Sequence, residues 1–327
     1  MRKNERGAIL VMVALSMASI ITVMGVVVDG GHVFSERRQM QNVADAAALA
    51  GTRALDLLTP GSESAITTAV TASVTANGAG AGTITCRLID EVLVDVGACP
   101  TVNTGTAVAL KLLAAGVRVT IATVQPTTFM KVAGIDTFTA RARAAAQIQG
   151  LRSGPSPFVM CAVGDTDPRA NGDGQPIPLL MPDNSLNPVA VGQTFELQDP
   201  TAVGCGQQNA FKGLAATPAD FPTPGPWSLL NGDHGINVTK QVVAGNSACS
   251  GNPDNFINCV VAVPLCYTMT PPVEGQLYCV RYAPFRITVN QSASRMAGVL
   301  LESAYATGGQ GGGKPLSGEV RIIKLSE

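Results

Sequence analysis

Residues 8–28 carry no charge, and the run from Ala8 through Val26, Val27 and Val28 stays apolar until Asp29. About 20 helical residues at roughly 1.5 Å rise cross a hydrocarbon core of about 30 Å, so the run predicts a membrane helix, not a buried core helix. Beyond Asp29 the apolar pattern turns from continuous to periodic. Val33, Met40, Val43, Ala47, Ala50, Ala54 and Leu57 mostly recur every three or four residues, while Arg38, Asn42, Asp45 and Asp56 fall on another face. The membrane helix is therefore expected to continue as one amphipathic rod. Gly30-Gly31 is its weak link and the place for a kink, because each glycine costs about 1 kcal/mol against alanine in a helix. Thr59-Pro60-Gly61-Ser62 ends the rod, and a second helix is expected over 63–75.

From Thr83 the spacing changes to β-branched alternation, with strands expected at 83–89, 92–96, 117–124 and 138–148. Pro126 to Gly134 reads as a short helix, with proline near its start and glycine after its end. These elements make a long helix set against a small antiparallel sheet. Leu151 to Pro157 is rich in turn-forming residues and marks a linker. Short apolar runs at 158–163, 260–265, 278–282, 285–289, 296–301 and 320–325, with Gly308 to Gly313 as a flexible loop, predict a loop-rich, mainly β domain over 158–327. The expected fold class is α+β. Its parts are a basic tail (1–7), a transmembrane helix (8–28), a helix-plus-sheet module (29–150), a linker (151–157) and the distal β domain.

Topology follows from charge. Arg2, Lys3 and Arg6 precede the span, so the positive-inside rule keeps the N-terminus cytoplasmic and sends residues 29–327 across the inner membrane. Asp29 at mid-bilayer would cost about 2.5–3.5 kcal/mol, so the helix should surface there. A cleaved signal peptide is the competing reading. Its apolar region runs about 7–15 residues and ends in an A-x-A-like site, which Val28-Asp29-Gly30 does not supply, so a retained anchor is favoured.

The chain has a net charge of −1 and scattered basic residues, with no aromatic-basic stripe, so nucleic acid is not an expected partner. Its eight cysteines suit the oxidising far side of the membrane and imply disulfides. Connectivity is not deducible from spacing. The sequence-local candidates are Cys86 with Cys99, Cys161 with Cys205, Cys249 with Cys259, and Cys266 with Cys279; a loop the size of the first is worth about 3 kcal/mol in the chain-entropy model.

Arg6-Gly7 before the apolar run, Val28-Asp29-Gly30-Gly31 at its end, and Gln41-Asn42-Val43-Ala44-Asp45-Ala46-Ala47-Ala48-Leu49-Ala50 beyond it resemble the TadE/TadG-like proteins of Tad (Flp) pilus assembly. Residues 117–124 and 126–135, followed by an Ala- and Arg-rich strand, look like the downstream part of that family. The resemblance covers residues 1 to about 150. It implies a pilin-like module in a non-enzymatic bacterial envelope protein, with roles in assembly, anchoring or surface display of an adhesive pilus. Lipid and Tad assembly proteins or pilins are its implied partners, and self-association is a further option. Prepilins of this system are cut after a glycine and carry glutamate at the fifth mature position; a cut after Gly7 would place Met12 there, which favours an anchored TadG-like component. Some longer relatives carry a von Willebrand A-like domain with an Asp-x-Ser-x-Ser metal motif. Only Asp183-Asn184-Ser185-Leu186-Asn187 comes near it, with Pro182 interrupting the strand expected before it, so no metal is assigned.

Catalytic signals are thin. His32 belongs to the membrane surface and His234 to a turn-like Asn-Gly-Asp-His-Gly stretch, and no G-x-S-x-G elbow or P-loop occurs. Asp165, Asp167, Asn171 and Asp173 gather in a loop whose spacing does not fit an EF-hand. No catalytic residue, cofactor or metal is assigned. The interface candidates are Asp29, read as a water-facing stop or as the partner of a cation on another helix, and the small-residue face Ala44, Ala47, Ala48 and Gly51. That face permits close helix approach or packing on the chain's own sheet. The runner-up function is a free-standing anchored adhesin or ligand-binding module, followed by an anchored hydrolase using His234.

Overall fold

The computed structural model describes residues 5–78, 82–154, 158–162, 178–198, 211–213, 221–228, 257–268, 276–292, 295–306, 310–315 and 319–326. The chain divides into two compact units, Met1–Gln147 with Ile323–Glu327, and Ile148–Ile322. Helices and sheet segregate as in an α+β protein.

In the first unit, helix α1 spans Glu5–Asp56 and runs through Gly30-Gly31 without interruption. Helix α2 covers Ala65–Ala76, strand β1 Thr83–Ile89, β2 Asp95–Ala98, helix α3 Ala107–Leu113, β3 Gly116–Pro126 and β4 Thr137–Gly154. The antiparallel order is β4-β3-β1-β2, with Ile121 opposite both Ile84 and Ala142. Val117, Val119 and Ile121 are buried at alternate positions, as period two requires, and so are Met40, Val43 and Leu55 of α1 and Ile66, Val70 and Val74 of α2. Over residues 140–146 of β4 the buried positions are alanines, Ala140, Ala142, Ala144, Ala145 and Ala146. Small side chains on both the strand and the helix let α1 lie close to the sheet.

Two details differ from the sequence pattern. The helical face drifts at its end: Leu55 and Asp56 turn inward while Leu57 is exposed, the reverse of the face assigned to Asp56 and Leu57. Helix α3 leaves no signal in the sequence, because Ala-Val-Ala-Leu-Lys-Leu-Leu is too short to show a period and only Ala107 is buried. Cys86 is bonded to Cys99, clamping β1 to the residue after β2. The chain end returns to this unit, where the Ser326 N–H donates to the Ala145 carbonyl at 2.8 Å.

The second unit holds β5 (Phe158–Cys161), β6 (Thr194–Gln198), β7 (Phe211–Gly213), β8 (Phe221–Pro222), β9 (Gly225–Ser228), β10 (Val260–Thr268), β11 (Gln276–Ser292), β12 (Arg295–Leu300), β13 (Ala304–Tyr305), β14 (Gln310–Gly312) and the start of β15 (Val320–Leu325), whose last three residues belong to the first unit. One sheet runs β6-β12-β11-β10-β5-β7, with β9 also on β11. Its buried cluster includes Met160, Leu179, Leu186, Phe195, Val263, Phe285 and Leu300. The end of β4 pairs with β14 and β8, so regular strand runs into the segment read as a linker, with Leu151 buried. Gln310 to Gly312, inside the glycine-rich segment read as a loop, is β14.

Pro284 separates two apolar runs in the sequence but not two strands. Its carbonyl accepts the Leu301 N–H at 2.9 Å, so its missing N–H would point to the same side, just past the end of β12. Pairing with β10 loses no ladder bond there. Cys266 and Cys279 are directly opposed on β10 and β11 and are bonded. Cys259 is also disulfide-bonded, while Cys205 and Cys249 lie outside the described residues.

Candidate functional site

The inward face of α1 starts inside the apolar run. Gly25 and Asp29 are buried one turn apart, and the same stripe continues through Met40, Val43, Ala44, Ala47, Ala48, Gly51, Thr52 and Leu55. Polar contacts fasten it to the sheet along its length. Gln125 donates to Glu36 at 3.0 Å, Gln41 donates to the Arg143 carbonyl at 3.1 Å, and the His32 and Phe138 rings meet edge to face at 6.3 Å. The Thr52 hydroxyl donates to the Ala146 carbonyl on β4 and accepts the Val117 N–H from β3. Gly51 is required by proximity: a Cβ there would stand 2.7 Å from Val70 and 3.1 Å from Val117.

Of the two placements open to the face Ala44, Ala47, Ala48 and Gly51, the structure has the one within the chain's own unit. All four are buried within their own unit, Ala44, Ala47 and Ala48 to full burial, so the face that permits close approach is already occupied.

Asp29 likewise turns into its own unit. It is 4 % exposed, and its carboxylate accepts three consecutive backbone N–H groups: Thr128 at 3.2 Å, Phe129 at 2.9 Å and Met130 at 2.6 Å. These donors open a 3₁₀ turn, Met130–Ala133, that ends on Gly134 at φ 79°, the left-handed conformation glycine adopts without strain. Of the short helix expected over Pro126 to Gly134, this one 3₁₀ turn forms, with Gly134 following its end as expected. Its neck is closed by the Thr127 N–H donating to the Asp136 carbonyl and by the Thr127 hydroxyl donating to the Ile135 carbonyl. Gly25 completes the seat, since a Cβ there would lie 2.9 Å from the Cβ of Phe129. A carboxylate and a glycine, one helical turn apart, thus latch the β3–β4 loop onto α1 at the end of the apolar run. The sequence signals were an acidic residue ending the span and a glycine inside it.

A second carboxylate, missed in the sequence, ties the other end of this unit. Glu63 is fully buried and accepts N–H groups from Gly61 (3.2 Å), Thr104 (3.1 Å) and Ala107 (2.9 Å), joining the α1–α2 turn to the start of α3. Burial alone pushes its carboxyl up, but backbone donors at Glu63, Gly61, Thr104 and Gly105 outweigh it and hold the group below its ordinary 4.5. A depressed folded value means the stabilisation is present above pH 4.5 and is lost as pH falls through that lower value. Glu63→Gln is expected to lower Tm at pH 7 and to flatten the acid limb of a Tm-against-pH curve; an unchanged acid limb would show that Glu63 does not govern it. Between α1 and α2, Ala54, Leu57, Ala65, Ala69 and Ala72 line a shallow groove of about 730 Å³.

In the second unit Asp183 accepts the Ser185 hydroxyl and N–H, at 2.5 and 2.9 Å, and the hydroxyl bond chiefly holds its carboxyl below the usual range. Asn187 donates to the Pro178 carbonyl and accepts from the Val189 N–H. These side chains serve the turn's own backbone. Among the described residues no group of three His, Cys, Asp or Glu could hold a metal ion. His32 is exposed on α1, whereas His234 and the loop residues Asp165, Asp167, Asn171 and Asp173 lie outside the described residues.

Ile9 to Val28 present exposed apolar side chains at nearly every described position, and α1 is long and apolar enough to cross a membrane. Residues 7–54 match the family model described as putative Flp pilus-assembly TadE/G-like. The match ends two residues short of the end of α1. No curated protein and no solved structure matches the chain.

Proposed function

We propose, from its TadE/G-like N-terminal segment, that the chain is a non-enzymatic envelope protein anchored by α1, acting in assembly, anchoring or surface display of an Flp-type pilus. The observation that supports it best is the construction of α1: one face, fastened from Gly25 to Leu55 onto its own sheet, shares a helix with an apolar stretch that its unit leaves uncovered. Such a helix suits a bilayer on one side of Asp29 and a folded module on the other. With Arg2, Lys3 and Arg6 ahead of it, the orientation that follows is N-terminus in the cytoplasm and both folded units beyond the inner membrane. The partners that fit are lipid and the assembly proteins or pilins of the system.

Deletion of the chain from a piliated cell tests this. Pili should disappear and return with the intact chain, but not with one whose residues 8–28 are replaced by a cleavable signal peptide. Normal pili with lost surface binding would instead identify a free-standing adhesin. That reading draws on the second unit, which lies wholly outside the matched residues.

A further inference from the structure

We infer that the β3–β4 loop, Thr127 to Ile135, is an interfacial membrane element: it rests in the outer edge of the bilayer beside α1 and fixes how deeply the module sits. The inference rests on α1 being a membrane anchor. Its starting point is depth. Gly25 lies four residues inside the apolar run that ends at Val28-Asp29, and Phe129 is seated against Gly25. At roughly 1.5 Å per residue, Phe129 is level with α1 about 6 Å below Asp29, within the 5–10 Å to which interfacial segments bury their apolar side chains.

The loop's surface has the matching chemistry. Phe129 and Ile135 are 39 % and 43 % exposed beside an α1 whose Val27 and Val28 are 68 % and 52 % exposed. Lys131 is also exposed and can reach toward anionic headgroups with its stem in the apolar layer. Backbone chemistry matches as well. A segment entering the bilayer edge must satisfy its N–H groups internally, because each unpaired one costs several kcal/mol there. Asp29 takes the N–H groups of Thr128, Phe129 and Met130, the Asp136 carbonyl just past the loop takes that of Thr127, and carbonyls within the loop take those of Gly134 and Ile135. The same carboxylate that latches the loop therefore prepares its backbone for an apolar surrounding. Lipid is the occupant because this surface is continuous with the span itself.

Trp227 is the only tryptophan, so a Trp227→Phe background gives a silent chain. Single reporters are then placed by Phe129→Trp, Ile135→Trp, Ile20→Trp and Val92→Trp, and the full chain is reconstituted into phosphatidylglycerol/phosphatidylcholine vesicles carrying lipids brominated at shallow or deep acyl positions. Val92, 75 % exposed in the β1–β2 turn, is the water control. It adjoins the Gly116 end of β3, about 30 Å from the Pro126 end that leads into the loop. The expected result is about twofold quenching of reporters 129 and 135 by shallow bromines, quenching of 20 by deep ones, and none at 92. Adding Asp29→Ala should weaken quenching at 135. Unquenched 129 and 135 with a quenched 20 would overturn the loop's insertion while leaving the anchor intact, and would point to water or a protein on this surface. An unquenched 20 would remove the anchor and the inference with it.

Discussion

Replacing Asp29 with alanine is expected to lower the Tm of the first unit by on the order of 5 °C and to speed amide exchange at Thr128, Phe129 and Met130 at least about tenfold. The loss arises because one carboxylate accepts all three of those N–H groups at 2.6–3.2 Å, and alanine leaves them without a protein acceptor beside a buried helix face. Bonds to a charged acceptor are the stronger kind, and removing only the acceptor costs more than replacing both partners. Asp29→Asn should fall between: its carboxamide oxygen still accepts, but its NH₂ faces donors. Gly25→Leu is the complementary change. It keeps the carboxylate and pushes Phe129 out of its seat, because even a Cβ would lie 2.9 Å from that of Phe129. Both variants should release the loop, which sits about 100 residues downstream, and both should reduce piliation if the module's depth matters to assembly. Calorimetry and exchange on the full chain in detergent check the first claim; wild-type exchange rates at 128–130 in Asp29→Ala would show that the latch carries no weight.

How much of this was legible in the sequence depended on whether a signal was local. The apolar run, the rod of three- and four-spacing and the strand Thr83–Ile89 were readable because each is a periodicity within a short window. The burial of Ala44, Ala47, Ala48 and Gly51 was visible as a small-residue face, but what covers it was not, since Val117 and the β4 alanines are 65 or more residues away. Asp29 shows the same limit more sharply. Its position at the end of an apolar run signals a membrane boundary, while its true acceptor role depends on a loop at 128–130. Pro284 misled in the opposite direction, because a residue that interrupts a strand by local rules does not interrupt one where the neighbouring strand has already ended. In the second unit, Arg281 and Glu319 gave no local signal at all, being 38 residues apart in otherwise ordinary strand sequence.

Those two residues set the second large effect. Arg281 on β11 is 1 % exposed; it donates to the Asn184 carbonyl at 2.6 Å and stands 3.8 Å from Glu319, which is fully buried and accepts from Arg152 at 2.9 Å. Gly150 makes room for Glu319, for a Cβ there would lie 2.6 Å from its carboxylate. Burial pushes the Arg281 guanidinium down from its ordinary value, and Glu319 opposes that push. Glu319→Ala removes the only carboxylate in ion-pair contact with Arg281 among the described residues and strands a buried cation, a loss of about 3–5 kcal/mol. Arg281→Met with Glu319→Leu removes both charges and should recover most of that loss, because the existing pair is imperfect: Nε and one terminal nitrogen of Arg281 lack hydrogen-bond partners among the described residues. Arg152, partly exposed, can turn to water in the double variant. Trp227 on β9, paired with β11, reports this unit by fluorescence during urea unfolding of the full chain. A single variant within about 1 kcal/mol of wild type, or a double variant no better than the single, would show that the charges do not determine this unit's stability.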